Sequence, residues 1–130
     1  MIRGKKSASE KAMTQYAVDV ALAAQFGELL DAARAAEQEF RHAQAAAAAL
    51  TEQHSLALAL DAALTAAMRA AYAAERAEIG PRGYDDRIVR RKAKATGAVH
   101  AWTDEAERLL TLRESHRLTG IPPVPRCHAA

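Results

Sequence analysis

The stretch ALALDAALTAAMRAAYAA, residues 57–74, decides the fold class, because it joins dense alanine to leucines at helical spacing. Alanine fills 34 of the 130 positions, and 27 of these lie between Ala8 and Ala77, a span without proline whose only glycine is Gly27. Alanine has the best helix propensity, since its side chain loses no conformational entropy in a helix. The sequence predicts an all-α protein with no sheet and with helix content above roughly 70%, against the usual one-third.

Before this stretch, apolar residues recur at spacings of three and four, which predicts one long first helix capped by Ser7 or Ser9. Its apolar face consists of Met13, Tyr16, Val20, Ala23, Phe26, Leu30, Ala33, Phe40, Ala43, Ala47 and Leu50. The polar segment Thr51–Ser55 (TEQHS) is the predicted turn into a second helix. That helix presents Leu56, Leu60, Leu64, Ala67, Met68, Ala71 and Tyr72 on one face.

The clearest helix stop is the run from Gly80 to Gly83, which contains Pro81. A third helix is predicted to start at Tyr84–Asp86 and to end at Gly120, followed by an extended proline-containing tail. Its predicted apolar face is Ile88, Ala95, Val99, Trp102, Ala106 and Leu109, with Leu110, Leu112 and Leu118 nearby.

The simplest architecture is an alanine-rich bundle of three long antiparallel helices, or a coiled-coil-like hairpin. A break at Gly27 gives a four-helix bundle instead, and a continuous helix from Ser9 to Ile79 would need another chain to cover its apolar stripe. Along the chain we expect a flexible basic arm at 1–8, a single helical domain at 9–119 and the tail at 120–130.

No motif in the sequence supports catalysis or metal binding. Glu39-Phe40-Arg41-His42 is a Glu-x-x-His triplet, but a di-iron helical bundle needs two of them and no second one exists. Cys127 and His128 are adjacent in the tail and have no third group to orient them. We therefore predict no enzymatic activity, no catalytic residue, no metal and no cofactor.

Three features favour a cytoplasmic protein that has no membrane partner. A single cysteine excludes an intramolecular disulfide. The basic N-terminus has no apolar segment behind it, so it does not resemble a secretory signal. The longest charge-free stretch, Ala43–Thr51, is too short to span a bilayer.

Charged residues are distributed unevenly along this chain, although its net charge is only +2. Residues 1–11 carry four bases and one acid, residues 82–94 carry six bases and two acids, and residues 12–81 carry nine acids and four bases. In an up-down-up bundle both basic segments lie at one end. The predicted polyanion-binding residues are Lys5, Lys6, Lys11, Arg82, Arg87, Arg90, Arg91, Lys92 and Lys94.

The predicted function is that of a non-enzymatic helical interaction protein, an adaptor, structural component or accessory subunit. Alanine faces bury little apolar area, so we expect a homo-oligomer or a larger protein assembly. The alternative is a nucleic-acid-binding accessory protein that uses a basic end formed by residues 3–11 and 82–94. That basic end would bind a nucleic acid or an acidic protein partner.

Overall fold

The computed structural model describes residues 7–124, so the predictions for the arm at residues 1–6, including Lys5 and Lys6, lie outside the described residues. The same holds for residues 125–130, which include Cys127 and His128. Of the described residues 85% are helical and none forms a strand. The predicted all-α class and the predicted helix content are confirmed.

The described part of the chain contains five α-helices where the simplest prediction had three. They are α1 (Glu10–Ala23), α2 (Phe26–Ala45), α3 (Leu50–Ile79), α4 (Arg87–Lys94) and α5 (Gly97–Ser115). A 3₁₀ helix (Pro81–Tyr84) precedes α4, and a π-helical segment (His116–Gly120) follows α5. Both the first and the third predicted helix are interrupted once, at Ala24–Gln25 and at Ala95–Thr96.

The first interruption lies two residues before Gly27, which is the second residue of α2. Helix α1 starts at the predicted cap, because the Ser9 side chain accepts a hydrogen bond from the Ala12 amide. It ends with the Gln25 amide donating to the Leu22 carbonyl, three residues back, so the last turn tightens and the α-helical ladder stops. The alternative with a break near Gly27 describes this region better than one continuous helix.

The turn between α2 and α3 lies at Ala46–Ala49, so the prediction of a turn at Thr51–Ser55 is wrong. Ala47 has φ 52°, and the Ala48 amide donates to the Ala43 carbonyl at 2.9 Å. The Ala47 amide donates to the Gln44 carbonyl at 3.1 Å, which completes a Schellman motif. TEQHS instead forms the first turns of α3. A continuous helix from Ser9 to Ile79 is excluded by the same turn.

Helix α3 ends directly before Gly80, at the helix stop that the sequence predicted. Gly80 has φ 97°, a left-handed conformation that glycine adopts without a Cβ clash, and Pro81 then opens the 3₁₀ helix. Asp86 caps α4 by accepting hydrogen bonds from the Ile88 and Val89 amides. At the other end, Gly120 is the last residue of the π-helical segment and Ile121 is extended.

The chain divides into two compact units, and α3 and α5 each contribute residues to both. The first unit holds residues 7–26 and Arg69–Glu107. Its buried apolar residues are Ala12, Ala70, Ala71, Ala73, Ala74, Val99 and Ala106. Two edge-to-face aromatic pairs add bulk: Tyr16 with Tyr84, ring centroids 6.5 Å apart, and Phe26 with Trp102 at 5.1 Å. Small residues dominate this core, as the composition predicted.

The second unit holds Gly27–Met68 and residues 108–124. Its buried apolar residues are larger: Ala33, Phe40, Ala43, Ala57, Leu60, Leu64, Ala67, Met68 and Leu109. His116 lies against Phe40, with ring centroids 5.6 Å apart, and its Nε2 is 2.8 Å from the Ala57 carbonyl oxygen. His54 Nδ1 lies 2.7 Å from the Pro122 carbonyl oxygen, which ties the start of the tail to α3.

Several residues placed on predicted apolar faces are exposed instead. Ile88 of the third predicted face is 66% exposed, and Leu112 and Leu118, which the sequence placed near that face, are exposed as well. The interruption at Ala95–Thr96 changes the phase of the third predicted helix, so Ile88 on α4 no longer shares a face with Val99 on α5. Met13, Val20 and Leu50 of the first predicted face are likewise exposed.

Helix α3 is the one helix among the described residues that is long and apolar enough to cross a membrane. Of its most apolar window, 44% is buried within the protein. Core helices of water-soluble proteins have the same length and composition, so this helix carries no argument for a membrane span.

Candidate functional site

A cleft of about 810 Å³ lies where the start of α1 meets the start of α4. It is lined by Ser7, Ala8, Ser9, Arg82, Asp85, Asp86, Arg87, Ile88 and Arg91. All of these residues belong to the first unit. The two basic segments of the sequence thus border one cleft, although fewer of their charged residues line it than the sequence predicted.

Local hydrogen bonds hold the two walls of the cleft together. The Ser9 amide donates to Asp85 Oδ2 at 2.8 Å, and the Ser9 hydroxyl donates to Asp85 Oδ1 at 3.1 Å. Asp86 accepts from the Ile88 amide at 2.9 Å and from the Val89 amide at 3.3 Å. Both carboxylates in the cleft therefore already accept hydrogen bonds from the protein itself.

The arginines of the cleft differ from the aspartates in this respect. The side chains of Arg82, Arg87 and Arg91 make no hydrogen bond or ion pair with any residue of the described range 7–124. Outside the cleft, Arg76 and Arg117 each form a bidentate pair with a carboxylate. The cleft thus combines carboxylates that already accept hydrogen bonds with three guanidinium groups that have no protein partner within residues 7–124, each of which carries five N–H donors.

The other predicted polyanion-binding residues within residues 7–124 lie outside the cleft. Arg90 turns away from the cleft and donates to the Gly83 carbonyl at 3.0 Å. Lys11, Lys92 and Lys94 are exposed and do not line the cleft. Of the seven predicted residues that lie within residues 7–124, the structure brings together three.

A second polar cluster, which sequence reasoning missed, lies inside the first unit around Asp19. Asp19 is only 7% exposed. Arg76 donates to both of its carboxylate oxygens, at 2.8 and 3.0 Å, and the Tyr84 hydroxyl donates to Oδ2. The sequence signal was present, because Asp19 is the only charged residue between Lys11 and Glu28.

The pKa values in this cluster follow from its hydrogen bonds. Burial by itself raises the pKa of Asp19, but hydrogen bonds from Arg76 and Tyr84 outweigh it and lower the pKa below its ordinary value. Burial and the bond to the Asp19 carboxylate raise the pKa of the Tyr84 phenol. Asp19 is therefore an ionised carboxylate at neutral pH and the anchor of the cluster.

Helix α1 exposes an apolar face on the side away from Asp19. Ala17 and Ala21 lie about 160° around the helix from Asp19. The exposed apolar residues of this outward face are Met13, Ala17, Val18, Val20, Ala21 and Ala24. Val18 is 62% exposed, and Met13 and Val20 are each more than 40% exposed. Glu10 and Thr14 are also exposed on this side, so α1 turns its one interior charge inward and presents a mixed, partly apolar face outward.

The histidines of the described residues do not gather into a metal site. No group of three or more histidine, cysteine, aspartate or glutamate residues in the described range could hold an ion. His54 and His116 contact backbone carbonyls, and His100 lies 3.5 Å from Asp104 on the surface of α5. The predicted absence of catalysis, metal and cofactor stays a prediction.

Comparisons with known protein families, with curated proteins and with solved structures find no match to this chain. The cleft and the exposed face of α1 are the candidate functional features of residues 7–124.

Proposed function

We propose that the protein is a non-enzymatic helical interaction protein that self-associates through the outward face of α1. The observation that carries the proposal is that α1 buries Asp19 while Val18 and Val20 are exposed. A lone exposed valine is ordinary, whereas contiguous exposed apolar residues along one helix are typical of an interaction surface.

The composition of the face fits a helix–helix contact. Ala17, Ala21 and Ala24 recur at the spacing of successive helical turns, so two such helices can approach to about 8 Å, the short end of the usual range. Val20 and Met13 flank this alanine row on one side, and Val18 flanks it on the other, about 160° from Val20 around the helix. Their partial burial at the edges of the contact supplies apolar area, at roughly 25 cal/mol per Å² removed from water. Together these residues offer both close approach and a hydrophobic driving force.

Charge favours an antiparallel arrangement of the two copies. Residues 1–11 carry Arg3, Lys5, Lys6 and Lys11 against Glu10, a net of +3. A parallel pair would bring two such segments together, whereas an antiparallel pair separates them by about the 21 Å length of this 14-residue helix. A twofold axis perpendicular to α1 gives this arrangement with the same face on both copies.

The expected affinity is modest. A single 14-residue helix pair buries less than the roughly 800 Å² per partner of a standard protein interface. We therefore expect a dimer that dissociates in the micromolar range, with its population set by protein concentration.

The test is sedimentation velocity of the full chain over a range of concentrations, for the wild type and for Val18→Lys. We expect a concentration-dependent dimer whose dissociation constant rises at least about tenfold in the variant, or 1.4 kcal/mol. Val18 makes no core contact that a lysine would lose, so helix content by circular dichroism should stay unchanged.

Leu58→Lys is the matched control, since Leu58 is 49% exposed on α3 and takes the same new charge. It should leave the dimer intact. A chain that stays monomeric at hundreds of micromolar would refute self-association. A dimer that resists Val18→Lys but dissociates with Leu58→Lys would refute the choice of α1.

A second candidate is the nucleic-acid-binding accessory protein. It is supported by the exposed basic residues of α4, where Arg87, Arg91, Lys92 and Lys94 fall within one eight-residue helix. Lys92 and Lys94 lie on the same helix but do not line the cleft. A nucleic acid that extends along α4 would contact these two lysines, whereas a small ligand inside the cleft would not.

A further inference from the structure

We propose that the cleft between the starts of α1 and α4 binds a phosphate monoester with an apolar substituent. The proposal is independent of self-association. It rests on the guanidinium groups of Arg82, Arg87 and Arg91 and on the exposed apolar side chain of Ile88.

The three arginines line the same cleft. Arg87 and Arg91 are four residues apart on α4, so their Cβ atoms lie roughly 6 Å apart on one face of the helix. Arg82 adds a third guanidinium from the 3₁₀ helix. None of the three guanidinium groups has a partner within residues 7–124. A planar guanidinium group can donate two parallel hydrogen bonds to two oxygens of one phosphate.

The two carboxylates of the cleft do not pair with the three guanidinium groups, so these groups stay available to a ligand. Asp85 accepts both hydrogen bonds from Ser9, and Asp86 accepts the two amides that begin α4. With the carboxylates held in the walls, the unpaired side-chain N–H donors of the cleft belong to arginine. A dianion that offers several acceptor oxygens fits this donor set better than a single carboxylate does.

The apolar wall and the size of the cleft indicate an ester. Ile88 is 66% exposed and lines the cleft together with Ala8, so it offers a hydrocarbon surface beside the arginines. A volume of about 810 Å³ lies in the range of small-molecule sites and is far more than one inorganic phosphate occupies. A phosphate group bound to arginine and a carbon skeleton bound to Ile88 would use both parts of the surface.

The experiment is an isothermal titration of the full chain with phenyl phosphate, inorganic phosphate and phenol at low salt. We expect phenyl phosphate to bind at least five-fold more tightly than inorganic phosphate, and phenol not to bind. The double variant Arg87→Gln with Arg91→Gln should weaken both phosphate ligands at least ten-fold. Ile88→Ser should remove the advantage of phenyl phosphate and leave inorganic phosphate unchanged.

The charge-matched control is Lys92→Gln with Lys94→Gln, which removes two positive charges from the same helix outside the cleft. It should change phenyl phosphate affinity less than two-fold. The proposal is overturned if phenyl phosphate fails to bind, or if the lysine and arginine double variants weaken it equally. Binding of a single-stranded oligonucleotide that grows with its length and needs Lys92 and Lys94 would instead favour the extended nucleic-acid surface. Thermal melts of each variant verify that the fold is retained.

Discussion

Asp19 carries a full charge yet is almost fully buried, and segments far along the chain supply both of its donors. Arg76 lies 57 residues away in sequence and Tyr84 lies 65 residues away. Their hydrogen bonds compensate for the water that the carboxylate loses on folding. A single residue on α1 is thereby tied to the end of α3 and to the 3₁₀ helix.

Replacing Asp19 with asparagine should lower the free energy of unfolding by about 2 kcal/mol. The amide is neutral and offers one acceptor oxygen where the carboxylate offers two, so Arg76 loses its bidentate partner. The Arg76 side chain is 46% exposed, which keeps the loss below that of a fully buried pair. Urea denaturation measures the change.

Asp31→Asn is the comparison for this prediction, because Asp31 is a surface residue that lies 3.8 Å from Arg34. Exposed pairs of this kind contribute little, so the expected change is below about 0.5 kcal/mol. Equal effects of the two substitutions would mean that the Asp19 cluster does not stabilise the fold.

At the scale of the element, the helices of this chain end for two different reasons. Helix α3 ends at Gly80, where the residue type itself favours a left-handed turn. Helix α2 ends without such a residue, and Ala47 adopts φ 52° in the Schellman turn. An L-residue with a Cβ pays roughly 1 kcal/mol or more for that conformation. Packing of the second unit must therefore select this turn over continued helix.

Ala47→Gly should consequently stabilise the protein by about 1 kcal/mol, because glycine adopts the left-handed conformation without a Cβ clash. The matched control is Ala45→Gly in the last turn of α2, where glycine should destabilise by roughly 0.5–1 kcal/mol. Thermal or urea unfolding of the two variants compares the signs. Destabilisation by both substitutions would contradict the left-handed turn at Ala47.

At the scale of the whole molecule, stability depends on ionised carboxylates in both units. Asp61 accepts two hydrogen bonds from Arg117 in the second unit, and these lower its pKa below its ordinary value. Asp19 has a lowered pKa in the first unit. As pH falls, the unfolded chain binds protons at these positions before the folded chain does, so acid lowers the free energy of unfolding.

The stabilisation from Asp19 and Asp61 should be fully present above their ordinary pKa of 3.8 and should be lost as the pH falls through their lowered values in the folded state. The midpoint of thermal unfolding should therefore decrease from about pH 5 downward. The double variant Asp19→Asn with Asp61→Asn should be less stable at pH 7 but show a smaller further decrease at pH 3. If the midpoints of thermal unfolding of the wild type and of the double variant decreased in parallel as the pH falls, these two residues would be excluded as the source of acid sensitivity.

The sequence by itself determined the helical class, the N-terminal cap at Ser9, the stop at Gly80 and half of the buried residues of α3. These features depend on local propensity and on spacing along one helix, which a sequence displays directly. It also identified the two basic segments that border the cleft, but it could not separate Arg82, Arg87 and Arg91 from the lysines beside them.

The tertiary structure alone decided the turn at Ala46–Ala49, the interruption at Ala95–Thr96 and the inward direction of Asp19. At residues 45–49, where every residue is alanine, neighbouring positions do not differ in propensity, so contacts between distant segments select where α2 ends. The partners of Asp19 are likewise distant in sequence, and only folding brings them within hydrogen-bond distance. The outward valines of α1 follow from the same choice, since turning Asp19 toward Arg76 turns Val18 toward solvent.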